Sequence, residues 1–340
     1  MKKLYTSFVV IASLLGTIPL TVSAEEVNVY SARKEALIKP LLDKFTAETG
    51  IEVNLVTGSA DALITRITSE GKFSPADVLI TTDAGRLVRA KQAGITQPMA
   101  IGNAHAVVAD YLKDNELHWT ALTIRARPIM YAPDRIDPNT INSILDLADD
   151  RFKGQICIRS SSNIYNQSMV AALTLELGEE AVSEWARGIV SNMARAPKGG
   201  DRDQIKAVAA GQCTIAVANT YYLAGMLDSA DETQQQQAKA VKVLWTDQDG
   251  FGTHVNVSGA AIAKSAPNVD NANALLKFML TADSQQWYAQ ENHEYPVLES
   301  VEKSDLMQSF GEFKALSVEL DKVGAGNADA LKLMDRAGWK

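Results

Sequence analysis

The chain has 340 residues, 46% hydrophobic, 22% charged and 6% aromatic, and its 33 Lys and Arg against 41 Asp and Glu give a formal net charge of −8. This composition excludes a disordered, collagen-like or disulfide-dense chain, and the length suggests two domains, each able to bury its own core. The acidic balance argues against a nucleic-acid partner, because phosphates repel a negative surface.

In chain order, Met1-Lys2-Lys3 precedes an apolar run from Phe8 to Leu20, and Val22-Ser23-Ala24 supplies a small-x-small ending. Those three parts make a secretory signal, expected to be cleaved after Ala24. The apolar run is too short for a membrane anchor and Pro19 interrupts it. Beyond it no stretch offers the roughly 18 apolar residues of a membrane span, so no direct insertion is expected. Glu26–Tyr30 alternates as a first strand, residues 34–49 have helical spacing with Gly50 as the stop, and Ile51–Val56 is a second strand. Residues 59–70 place Leu63, Ile64 and Ile67 on one helical face, and Ala76–Ile80 is a third, largely apolar strand. Strands alternating with helices indicate a parallel sheet covered on both faces.

The middle of the chain repeats the theme. Gln155–Ile158 reads as a short strand, followed by helices from about 166 to 177 and from about 179 to 190. Ile205–Ala210 belongs to a further helix that stops at Gly211, and Cys213–Ala218 is another apolar strand. The Gln234–Gln237 run is a solvated helix face or loop. Extended stretches at Thr120–Tyr131 and Val241–Ala263 lie where the chain could cross between two lobes, and 268–282 and about 305–322 read as helical. The only cysteines, Cys157 and Cys213, are expected to pair in an oxidising compartment, two buried free thiols being the alternative.

Catalytic signatures are absent: no G-x-S-x-G, no phosphate loop, no G-x-G-x-x-G opening a helix, no H-E-x-x-H and no C-x-x-C. The four histidines have no metal-ligand spacing. The tyrosines say more. Tyr165 and the pair Tyr221-Tyr222 follow apolar strands at strand-to-helix turns, where ligands bind in parallel α/β sheets. Tyr165 lies eight residues after Cys157 and Tyr221 eight after Cys213, so a disulfide joining the two strands side by side would bring the phenols to one edge. The same spacing also suits ordinary amphipathic tyrosines at element ends. A free phenol titrates near 10, so three would ionise together only for a strongly charged cation; three phenolates cancel Fe(III) and leave positions open for water or a chelating anion. Such an anion calls for arginine, and Arg33, Arg125 and Arg127 are the candidates.

With these residues in place, the sequence resembles the periplasmic ferric-ion-binding proteins that feed ABC-type iron importers. The likeness runs over the chain beyond the signal. It is carried by Val29-Tyr30-Ser31-Ala32-Arg33, Ser74-Pro75-Ala76-Asp77-Val78, Asp83-Ala84-Gly85-Arg86-Leu87, Arg125-Ala126-Arg127 and above all Asn219-Thr220-Tyr221-Tyr222. The resemblance implies an α/β, two-lobed type II periplasmic-binding-protein fold with a cleft between lobes joined by crossover strands. It implies a signal over 1–24, a first lobe of 25–123 plus about 251–300, a second lobe of 124–250, and C-terminal helices over 301–340 packing on both. It makes Tyr165, Tyr221 and Tyr222 the iron ligands. The first lobe departs from some relatives: Arg33-Lys34 fills the place of a His, Lys34-Glu35 that of a His-Tyr pair, and Thr82 that of a Glu. The pattern is similar to the subgroup with three second-lobe tyrosines and a synergistic anion, commonly carbonate, here assigned to Arg33 and Arg125. Tyr30 is expected to pack at the strand end, and Glu35 is a further ligand candidate. The function implied is periplasmic capture of Fe(III) for an inner-membrane permease, with no enzymatic activity. A monomer is expected, since no feature signals oligomerisation. The alternative is a binding protein for a non-metal small anion or other nutrient that uses the cleft arginines.

Overall fold

The computed structural model describes residues 25–340, so the expected signal and its cleavage site lie outside the described residues. Its strands are β1 (Glu26–Ser31), β2 (Glu52–Thr57), β3 (Val78–Thr82), β4 (Thr96–Gln97), β5 (Thr120–Ala126), β6 (Ile129–Tyr131), β7 (Ile156–Cys157), β8 (Ile215–Val217), β9 (Lys242–Leu244), β10 (Val255–Ala263) and β11 (Tyr295–Pro296). They form two sheets, one ordered β11-β5-β10-β3-β1-β2 with β4 also on β10, the other β7-β8-β6-β9. The parallel arrangement expected at the start of the chain holds for β1, β2 and β3. The sheet as a whole is mixed, because β10, buried along its whole length, enters antiparallel between β3 and β5. Its small residues let neighbours come close: a Cβ on Gly259 would stand 2.5 Å from the Thr120 carbonyl, at the point where the register with β5 shifts.

Local chemistry sets the element ends. The first helix begins at Lys39, later than the apolar spacing suggests, because Pro40 lacks an N–H and is best placed in a first turn. Residues 35–37 form a separate 3-10 turn. Ser59 caps Ala60–Glu70 by accepting from the Ala62 amide. The Gln run lies on the helix Glu232–Lys239. The helix expected over about 305–322 is broken into Asp305–Gln308 and Leu320–Ala325. Gly311 turns the chain at φ +82°, and Thr253 then pairs with Ala315 and holds that stretch extended.

The chain leaves the first sheet between Ala126 and Ile129 and returns between Leu244 and Val255. The two passages touch, with the Arg127 amide donating to the His254 carbonyl at 3.0 Å. The C-terminal helices Leu320–Ala325 and Asn327–Arg336 lie against both Ala84–Gln92 and Ile164–Leu177, bracing one sheet's helices to the other's. Trp119, Trp339, Tyr288 and Phe45 are among the largest side chains buried in this frame. Among the described residues no helix is long and apolar enough to cross a membrane.

Candidate metal centre

β7 and β8 run parallel and are tied by a disulfide between Cys157 and Cys213, with Cα atoms 5.9 Å apart. The register pairs Cys157 with Ala216, so the equal eight-residue offsets are not what aligns the tyrosines. Their alignment comes from the helices that follow. Ile164–Leu177 begins two residues earlier than expected, capped by Asn163, whose side chain accepts from the Tyr165 amide at 3.2 Å. Thr220–Leu227 begins directly after Asn219. Tyr165, Tyr221 and Tyr222 therefore all sit in first helical turns, where the exposed amides favour negative charge.

The three phenols converge. The Tyr221 phenol is close enough to Tyr165 and Tyr222 to influence the ionisation of both, and its hydroxyl accepts from the Asn219 side-chain amide at 3.4 Å. The Tyr221 and Tyr222 rings lie 4.3 Å apart. Arg125 reaches them from the end of β5: its guanidinium carbon is 4.2 Å from the Tyr221 ring centroid and 5.3 Å from that of Tyr165. Its Nη1 donates to the Tyr165 hydroxyl at 3.5 Å. Arg127 and Arg159 also face the Tyr165 ring, and Arg202 faces that of Tyr222.

This positive surround divides the phenols. Burial opposes ionisation of Tyr165, but Arg125 and hydrogen bonds from Thr82, Tyr221 and Arg125 outweigh it and bring its phenol down to about 7. Burial and the neighbouring Tyr165 and Asp201 push Tyr222 up to about 12. Burial also raises Tyr221 well above the ordinary phenol range. Burial disfavours the charge on Arg125, yet the three phenols and Glu294 hold it firmly protonated. The cluster thus stores one readily ionised phenol and two that only a strong Lewis acid would deprotonate.

Arg127, a candidate for the anion in the sequence, instead holds this arrangement together with Asp201, Asn166 and Asn219, which the sequence did not single out as its partners. Arg127 is buried and donates to Asp201 (2.9 Å), Asn219 (3.0 Å) and Asn166 (2.8 Å). The Asp201 carboxylate also accepts the Asn219 amide at 3.0 Å. Asn166 follows Tyr165, and Asn219 precedes the tyrosine pair, so one guanidinium pins both helix starts. On the other side of the cleft Arg33 does not join the tyrosines. Its Nη1 and Nη2 donate bidentately to Glu294 at 3.1 and 3.2 Å, and Nη1 also donates to Ser258 at 2.8 Å. Glu294 lies 3.5 Å from the Arg125 Nε, so a carboxylate stands between the two arginines named from the sequence. No local sequence signal marks Glu294, which is 261 residues from Arg33. Glu35 is exposed on its 3-10 turn, and Tyr30 is buried with its hydroxyl 3.4 Å from Glu70. Among the described residues no three His, Cys, Asp or Glu side chains gather into a metal-holding group. A cavity of about 530 Å³ lined by Ile67, Lys72, Ile95 and Lys264 lies at the other end of β10, away from the phenols.

Two sheets crossed twice by one chain, with polar groups from both facing across a cleft, define a two-lobed solute-binding protein. The chain belongs to the family of bacterial extracellular solute-binding proteins, whose pattern matches residues 73–316. It is 46% identical to "Iron uptake protein A1" of Synechocystis over 93% of this chain and 88% of that one. Among solved structures it is similar to a Trichodesmium protein (IdiA, FutA) in complex with iron and citrate ligands, at 44% identity and a TM-score of 0.90, covering 93% of this chain and 100% of that one. The ferric binding protein of Campylobacter jejuni superposes with a TM-score of 0.88 at 35% identity, covering 92% of this chain and 100% of that one.

Proposed function

We propose that this protein is the periplasmic ferric-ion-binding component of an ABC-type importer, taking Fe(III) as its cargo on Tyr165, Tyr221 and Tyr222. The observation that carries the reading is the convergence of three first-turn phenols around the Arg125 guanidinium. Iron binding displaces the protons of Tyr221 and Tyr222 and whatever fraction Tyr165 retains, about two protons above pH 7 and about three below it. Affinity therefore falls as pH falls, and more steeply below 7. An anion completes the coordination, held by Arg125 and, where its fork is released, Arg33. Carbonate fits by charge and planarity, and citrate, present with iron in the Trichodesmium structure, offers the same carboxylate chemistry.

In this reading the lobes are 25–123 with about 251–300, and 124–250, with 301–340 bracing both. The protein acts as an exported monomer, carries iron without transforming it, and releases it to an inner-membrane permease. The rival reading, a binder of small non-metal anions or another nutrient through the cleft arginines, leaves the gathering of three phenols around Arg125 without a role. Metal-free protein given Fe(III) is expected to develop a visible phenolate-to-iron charge-transfer band, and Tyr222→Phe to lose about tenfold or more in affinity, 1.4 kcal/mol per tenfold step. A colourless wild type, or a Tyr222→Phe variant that binds as the wild type does, overturns the proposal.

A further inference from the structure

The groups left unexplained by iron ligation gather around Glu294. Its carboxylate is almost fully buried, at 4% exposure, just before β11. It accepts the Arg33 guanidinium through both oxygens, Ser258 at 3.2 Å, and Thr123. Arg125 Nε stands 3.5 Å from the same carboxylate. Two guanidiniums thus share one carboxylate, and the Nε atoms of both Arg33 and Arg125 are buried without a hydrogen-bond partner. The cluster keeps a surplus positive charge, and Arg125 carries it to the tyrosines.

A planar two-oxygen anion is what such a fork recognises. Glu294 already supplies one from within the chain. Any carbonate or carboxylate from solution that is to use Arg33 must displace it, and a displaced Glu294 would lose its partners while still buried. We propose that Glu294 is an internal competitor of the synergistic anion: it occupies the Arg33 fork and so sets the anion concentration at which the iron site is completed. This rests on the tyrosine reading above and adds a specificity-setting residue to it. Glu294 touches neither phenol nor cargo; it acts through the two arginines.

The test uses the metal-free full-length exported protein in carbon-dioxide-free buffer, with iron supplied as ferrous chloride, oxidised by dissolved oxygen, and bicarbonate titrated in. The readout is the bicarbonate concentration that gives half of the charge-transfer band. Glu294→Gln is expected to lower that concentration about tenfold, the scale of one charge-assisted hydrogen bond lost by the competitor. Glu294→Asp, withdrawn by one methylene, is expected to fall between the two and covers the case in which the Gln variant does not fold. An unchanged or raised bicarbonate requirement in the variants, with the band still formed, overturns the competition while leaving the tyrosine site standing. No band in any of the proteins, wild type included, overturns both.

Discussion

Two buried arginine–carboxylate pairs flank the cleft, and they differ in what surrounds them. Arg127 and Asp201 are bonded to Asn166, Asn219 and the Asn219 amide, and Asp201 is also shared with Arg159 at 3.5 Å, all on the tyrosine side. Arg33 and Glu294 are also buried, but their carboxylate is shared with Arg125, which reaches from the first sheet to the phenols on the other side. The first pair is a clamp that fixes two helix starts. The second is a charge store that a ligand can draw upon. The same chemistry becomes scaffold or site according to whether its partners lie on one side of the cleft or reach across it.

That contrast can be broken in order of expected effect. Arg127→Leu leaves Asp201 buried without its main partner and is expected to cost about 3–5 kcal/mol, read by denaturant unfolding. If stability survives unchanged, Arg127 is not the clamp. Arg125→Gln is expected to be gentler on the fold, because Glu294 keeps Arg33, but to act strongly on the site. It removes the charge that brings Tyr165 to about 7, so the phenol moves up towards the ordinary range near 10 and stays protonated at neutral pH. Near-ultraviolet tyrosinate absorbance of the metal-free protein should then rise at higher pH than in the wild type. Iron affinity at pH 7 should fall about tenfold for each unit of that rise. An identical titration in the two proteins would separate Arg125 from Tyr165.

The smallest effect probes a contact that spans the two sides. Ser168, one turn beyond Tyr165, donates to the buried Asp83 carboxylate at 2.6 Å, and Asp83 stands at the end of β3 with φ +80°. Burial raises the Asp83 carboxyl even with the Ser168 and Gly85 bonds in place. Ser168→Ala is expected to cost about 1–2 kcal/mol, with iron binding nearly unchanged. A larger loss of iron affinity than of stability would make this contact part of the binding equilibrium.

Particular residues show how far sequence reasoning reached. Tyr165, Tyr221 and Tyr222 were legible because a polar turn after an apolar strand is a strong local pattern. The route through equal offsets from the cysteines failed, since Cys157 stands opposite Ala216 and not Cys213. Arg33 was legible as an arginine after a strand. Its occupation by Glu294 was not, because that pairing is made only when β10 and β11 bring distant segments to the same place. The helix assigned to about 305–322 failed because Gly311 and the pairing of Ala315 with Thr253 outweighed its apolar spacing.

The sequence alone determined the alternation of strands and helices, the tyrosine-bearing turns and the disulfide partners, because each is written in neighbouring residues or in the absence of rivals. Tertiary structure alone decided which arginine meets the phenols, which is held by an internal carboxylate, and how the phenols divide into one easily ionised and two held protonated. Those outcomes depend on burial and on charges brought together from hundreds of residues apart, and electrostatic interaction follows distance in space, not distance along the chain.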